Sequence, residues 1–242
     1  MCRNGLPRSA AFAGATRVLR IGAAEIRRVE EMTIVSSMAT LTKDRALIEA
    51  NWHWLVPSFL RPDGSRDFVF QSWILLVDGR VVVIDPCTGN GRPHRYPLFD
   101  RLATPYIERF SATGIRPNQV DFVFCTHMHH DHCGWNTQLR DGQYVPTFPN
   151  ARYLFVRREY ERWDTQMPGH RPVDYNMGVF DRSVRPVLEA GLAELVGDQH
   201  RVTASLQIEP AYGHTAGHSV LHLVSQAQEA LFTGDVFTIR CR

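Results

Sequence analysis

"CTHMHHDHCGW", residues 125–135, packs four histidines and an aspartate into positions 127–132, directly after the apolar run "VDFVF" (120–124). Such a run of β-branched and aromatic residues reads as a buried strand. Side chains two apart in an extended segment face the same way, so His127 and His129 can point at one spot. Asp131 and His132 fall past the strand end, where a loop can turn them toward the same point. Neutral imidazole and carboxylate are good ligands for zinc and its neighbours. His130, between the ligand positions, reads as a solvated loop histidine. Chance would produce this spacing in roughly one in a thousand chains of such composition.

Upstream, "SWILLVDGRVVVIDP" (72–86) is two β-branched runs around Asp78 and Gly79, the signal for a hairpin. Its second strand ends on Asp85, before the glycine- and proline-rich "CTGNGRPHRYP" (87–97). "AAEIRRVEE" (23–31) predicts a first strand, and the aromatic, turn-rich "NWHWLVPSFLRPDG" (51–64) a packed loop. "LFDRLATPYIERFSATG" (98–114) has helical spacing and a glycine stop, with Pro105 set to kink it or delay its start. "ARYLFVRREYERWD" (151–164) predicts a strand and then a helix, and residues 175–194 a further helix. "LQIEPA", "SVLHLVSQ" and "EALFTGDV" predict three short strands at the end. Hairpins followed by alternating helix and strand fit a layered α/β sandwich.

The chain has 242 residues, enough for a sizeable core in one large α/β domain or two small ones. Its net charge of +2 is too balanced to make nucleic acid or an anionic membrane the main partner. No apolar run approaches the roughly 20 residues that span a bilayer. The five cysteines are odd in number and form no CxxC pair, so no disulfide framework or zinc ribbon is indicated and a reducing cytoplasm is the default location. Cys125 and Cys133 read as small packing residues. Residues 1–22 carry Arg3, Arg8, Arg17 and Arg20 without an acid, and read as a flexible tail ahead of a single domain over 23–242.

A second signal lies downstream. "AYGHTAGHS" (211–219) holds His214 and His218 in a glycine-rich turn between two predicted strands, and "LFTGDV" (231–236) delivers Asp235 at a strand end. HxHxDH, then GHTxGH, then a strand-terminal GD resembles the metallo-β-lactamase superfamily. The match runs from about Asp85 to Asp235. The wider stretch from Thr126 to Trp163 resembles the branch containing N-acyl-homoserine lactonases and methyl parathion hydrolases. The resemblance implies an αββα sandwich with two divalent metal ions at one sheet edge, zinc being the leading choice. His127, His129 and His214 would hold metal one; Asp131 and His132 would hold metal two; Asp235 would bridge them. Asp85 resembles the acid that orients a metal-bound histidine, although a plain strand-end turn explains it too. His218 is either a similar support or merely structural.

Such a centre implies a bridging hydroxide that attacks an ester or lactone of a small molecule, with Asp131 holding the nucleophile and taking its proton afterwards. A phosphotriester or a glyoxalase-type thioester is the alternative substrate. His94 and Trp135 are expected near the site mouth or in packing. The superfamily normally supplies another histidine to metal two well after the bridging aspartate, with further strands and a helix. Here no histidine follows His222. The favoured expectation is a shortened chain whose second half of the sandwich is incomplete and whose second metal site is weak or empty; the alternatives are another histidine in that role or a partner chain that completes the fold. Such a chain would expose a sheet edge and an apolar face, favouring association, a homodimer included. A metal-binding remnant without turnover is the competing class.

Overall fold

Asp78 and Gly79 both take left-handed backbone, φ 51° and 70°, and form the two-residue turn expected of an Asp-Gly pair. The turn joins two strands of a mixed sheet in a computed structural model that describes residues 18–40 and 42–237. In chain order these residues form β1 (Val18–Ile21), β2 (Ala24–Ser37), α1 (Arg45–Leu55), β3 (Ser65–Val77), β4 (Arg80–Ile84), α2 (Tyr106–Ala112), β5 (Phe122–Phe124) and α3 (His130–Cys133). There follow β6 (Thr137–Arg140), β7 (Gln143–Pro146), β8 (Arg152–Val156), α4 (Arg157–Trp163), α5 (Val179–Ser183) and α6 (Arg185–Glu189). The last strands are β9 (Ala193–Val196), β10 (His200–Arg201), β11 (Leu206–Pro210), β12 (Ser219–Ser225) and β13 (Gln228–Phe232).

One sheet has seven strands in the order β1-β2-β3-β4-β5-β8-β9, and a second has four in the order β10-β11-β12-β13. The first four strands are antiparallel, whereas β4, β5, β8 and β9 run parallel. The parallel strands are buried on both faces, and the alternation of their side chains builds two cores. Val83, Val123, Tyr153 and Phe155 pack against Tyr106 and Phe110 of α2, Trp163 of α4 and Phe180 of α5. Val82, Ile84, Phe124 and Leu154 face the other way, onto Leu206, Ile208, Leu221, Leu223 and Phe232 of the second sheet. The layers are helix, sheet, sheet, consistent with the expected sandwich. Among the described residues the outer face of the second sheet stays open, with Val224 and Leu231 45% and 50% exposed.

Two local expectations are corrected, and a third takes the second of its two forms, a helix start delayed by Pro105. The sheet begins with β1, inside the stretch expected to be tail, because Val18–Ile21 pairs with β2 from Ile21↔Ala24 to Val18↔Arg27; residues 1–17 lie outside the described residues. The stretch 51–64, expected as a loop, starts with the second half of α1, whose N-cap Asp44 accepts from Leu47 N. The helix expected over 98–114 begins only at Tyr106, with Pro105 at its N-cap. Proline removes an N–H and fits the start of a helix better than its interior.

A bulge in β2 positions the loops around the sheet edge. The register against β3 shifts between Glu30 and Met32, which leaves Glu31 unpaired in the ladder and turned inward, 1% exposed. Its carboxylate accepts from Thr88 N at 2.8 Å, Gly89 N at 3.0 Å and Trp135 Nε1 at 2.6 Å. Trp135 in turn stacks on Tyr106, with ring centroids 4.9 Å apart. Glu31→Ala would strand these donors, each left unsatisfied at about 1–3 kcal/mol. Urea unfolding of this variant is expected to show a stability loss on the order of 3 kcal/mol; a loss under about 1 kcal/mol would mean that water substitutes for the carboxylate.

Candidate metal centre

The parallel pairing of β4 with β5 sets Ile84 opposite Phe124, so both chains leave the sheet at the same level. Ligand sites in open α/β sheets form beyond such carboxyl ends. Asp85 bends away in left-handed backbone, φ 49°, and its N–H still donates to Phe124 O at 3.0 Å. That strained turn aims its carboxylate across the strand end. One oxygen accepts from Thr126 N at 2.7 Å; the other accepts from Thr126 Oγ1 at 2.8 Å and from His132 Nδ1 at 3.0 Å. Asp85 is therefore both a turn residue and the partner of a histidine in the cluster.

The Thr126 hydroxyl, having given its proton to Asp85, accepts from His127 Nδ1 at 3.1 Å. This leaves the Nε2 lone pair of His127 facing inward. His129 presents the opposite nitrogen. Its Nδ1 lies 3.0 Å from His127 Nε2 and 3.0 Å from His214 Nε2, while its Nε2 meets Tyr175 Oη at 3.1 Å. Three nitrogens thus converge on one point. A tetrahedral zinc site with bonds of about 2.0–2.1 Å spaces its ligand atoms about 3.3 Å apart, so these donors fit a small divalent cation. A second group joins His127, His132 and Asp235. Asp235 lies between the two groups: one carboxylate oxygen is 3.4 Å from His132 Nε2 and the other 3.4 Å from His214 Nε2.

The turn that brings Asp235 here requires its glycine. Gly234 sits at φ 50°, and a Cβ on it would lie 2.4 Å from Thr126 Oγ1 and 2.9 Å from His218 Nε2. His218 is fully buried and its Nε2 accepts from Asp235 N at 3.2 Å, which fixes that turn. Asp131 lies in the first turn of α3; its carboxylate stands 3.8 Å from His132 Nε2 and 3.9 Å from His130 Nε2, beside the two groups rather than inside them. His130, expected as a solvated loop residue, is packed, because α3 turns its ring between His94 at 4.5 Å and Phe99 at 4.6 Å. His94 meets the cluster through that ring and through Tyr175, whose carbonyl lies 3.1 Å from His94 Nε2. Cys125 and Cys133 are buried packing residues.

Charge and burial act in opposite senses across the cluster. Burial pulls His127 well below the ordinary histidine pKa, reinforced by its imidazole neighbours. Burial likewise lowers His129 to about 3, against the pull of Asp131. His132 goes the other way: burial lowers it, but Asp85, Asp131 and Asp235 outweigh burial and raise it well above normal. Burial pushes Asp235 up, yet His132, His214 and His129 hold it below the usual carboxylate range. Neutral His127 and His129 and ionised Asp235 are in the protonation states that a cation requires of its ligands, whereas His132 must release a proton before it can bind one.

Several residues of the site escape sequence reasoning. Thr126 and Tyr175 are single polar residues with no distinctive spacing. Glu159, on α4 between the ligand loops, looks like any other acid of a charged helix. Its one signal is the i,i+4 relation to Trp163, whose Nε1 donates to it at 2.7 Å. A groove of about 590 Å³ opens at Asp131, His132 and Asp235, with Ile26, Phe70 and Trp73 among its apolar walls.

Residues 66–242 match the model of the metallo-β-lactamase superfamily. Among solved structures, the fold is similar to the hydrolase AbOPH of the β-lactamase superfamily, with TM-score 0.69 at 19% identity over 93% of this chain and 75% of that one. A probable metal-dependent hydrolase from Staphylococcus aureus superposes with TM-score 0.64 at 16% identity, over 90% of this chain and 74% of its own. The dizinc quorum-quenching lactonase AidC, in complex with a product, gives 0.63 at 15% identity, over 90% and 73%. At these identities the likenesses speak for the fold, and the family match covers most of the chain. The chain belongs to the metallo-β-lactamase superfamily.

Proposed function

We propose that this chain hydrolyses an ester or lactone of a small molecule at a centre of two divalent cations, zinc being the first choice. The observation that carries the reading is Asp235, with one carboxylate oxygen facing each histidine group at 3.4 Å. His127, His129 and His214 would hold one cation. His132, Asp235 and the adjacent Asp131 would hold the other. Bound there, the cations would supply a hydroxide near neutral pH and polarise the scissile carbonyl.

The chain's own residues do the rest. The Asp85–Thr126–His127 relay keeps the Nε2 lone pair of His127 turned inward, and Asp85 does the same for His132. Tyr175 steadies the outer nitrogen of His129. Asp131, ionised and open to the groove, is placed to hold the attacking water and to accept its proton at a carboxylate oxygen. The groove's 590 Å³ lies within the range of roughly 300–1,000 Å³ for small-molecule sites, and its apolar walls suit an acyl chain. The lactonase neighbour is a parallel case on the same fold. The proposed donors are imidazoles and carboxylates with no cysteine among them, which suits zinc and also manganese, iron or cobalt.

Plasma mass spectrometry on protein purified without chelator is expected to give two metal equivalents per chain, and a screen of lactones, carboxyl esters, thioesters and phosphotriesters to show turnover of the first two classes. No metal, or turnover confined to phosphotriesters, would contradict the assignment. His127→Ala, which removes one of the three imidazoles proposed to hold the first cation, is expected to lower metal content and to cut kcat/KM by about 100-fold or more. Asp85→Asn leaves every ligand in place and weakens only their support. Its cost is expected to be 10–100-fold in metal affinity, read by chelator competition, and parent-like affinity would show that Asp85 serves the turn alone.

A further inference from the structure

The ligands come from two separate sheets. His127 and His129 follow β5 of the large sheet, whereas His214 and His218 lie in the turn between β11 and β12 of the small one. We infer that Glu159 is the clasp that sets these two loops against each other, a positioning residue for the whole centre. The inference rests on the reading that His127, His129 and His214 hold a cation.

Glu159 sits in the first turn of α4 and is 2% exposed. Its two oxygens divide their work. Oε1 accepts from Met128 N at 3.0 Å, the peptide between the two ligand histidines, and from Trp163 Nε1 at 2.7 Å. Oε2 accepts from Thr215 Oγ1 at 2.7 Å and from Gly217 N at 2.9 Å, in the turn that carries His214. A buried carboxylate is tolerated only when donors replace its water, and here four do. The donors are two backbone amides, a hydroxyl and an indole; each oxygen takes one from a ligand loop at least. Removing the carboxylate would therefore unfasten both loops at once.

Sterics point to the same contact independently. A Cβ on Gly217 would lie 2.2 Å from Glu159 N and 2.6 Å from its Cα, so the turn rests directly on the backbone of α4. Only glycine permits that approach. The far side of the Met128 peptide is held as well, its carbonyl accepting from Asn176 Nδ2 at 2.8 Å. Trp163 closes the arrangement, edge-on to the His129 ring at 5.4 Å. Metal-binding sites depend on such supporting contacts for their geometry, and losing one typically costs 10–100-fold in affinity.

Glu159→Gln keeps the shape but turns one acceptor oxygen into a donor, so one loop faces an amide NH₂. In metal-free protein, exchange of the Met128 or Gly217 amide is expected to quicken at least tenfold. In the Co(II)-loaded protein, the visible spectrum is expected to shift and chelator competition to show 10–100-fold weaker binding. Thr215→Val, which removes a single bond and no charge, is expected to quicken Gly217 exchange and weaken Co(II) several-fold while leaving Met128 unchanged. It keeps the test open if the first variant does not fold. Glu161→Gln, an exposed acid on the same helix, serves as control and is expected to match the parent. Parent-like exchange in both Glu159→Gln and Thr215→Val would overturn the clasp, whatever the metal does. Exchange protection lost in the variants, together with a parent that takes up no Co(II), would sink the metal reading while leaving the clasp standing. Altered exchange with unchanged Co(II) affinity and spectrum would overturn the positioning role.

Discussion

The Nδ1 of His129 stands 3.0 Å from both His127 Nε2 and His214 Nε2, and with lone pairs turned inward these nitrogens repel one another unless the surrounding residues hold them. In water the rings would rotate apart. Two of the rings are fixed from behind, His127 by Thr126 and His129 by Tyr175, and Asp85 does the same for His132 of the second group. Fixing the outer nitrogen chooses the tautomer, and the tautomer decides which nitrogen is free to bind. A repulsive cluster so thoroughly braced has a physical purpose only when a cation offsets the repulsion.

The bracing relies on buried carboxylates that are not ligands. Glu31 anchors the loop after β4, Asp85 serves the two central histidines, and Glu159 joins the loops of the two sheets. Each is met by several hydrogen-bond donors, backbone amides among them, which replace the water its charge gives up on burial. The glycines of the site work by the same logic of close approach. Gly217 lets a turn lie on α4, and Gly234 lets Asp235 pass beside Thr126 and His218.

Legibility followed the range of the interaction. The hairpin at Asp78 and Gly79 and the strand before His127 are local, and both were readable from residue types alone. The first half of the stretch 51–64 was misread, because aromatic richness masked a helix whose cap, Asp44, lies seven residues upstream of Asn51. The start of β2 was readable, but its bulge was not, since a bulge depends on register against β3. His130 looked solvated because nothing local announces His94 and Phe99 as its neighbours.

Residues 127–132, 214 and 235 announce their chemistry by type and order, because ligand identity is a property of side chains. That much, together with the alternation of strand and helix, the sequence by itself determined. The tertiary structure decided which nitrogen of each histidine faces inward, that Asp131 stands beside the two groups rather than within them, and that Asp235 faces both. It also decided which acids are structural: Glu31, Asp85 and Glu159 are distinguished from surface carboxylates only by burial and by donors up to 104 residues away in the chain. The reason is physical. A ligand's chemistry travels with its residue, whereas its orientation depends on hydrogen bonds between strands and loops that only folding brings together.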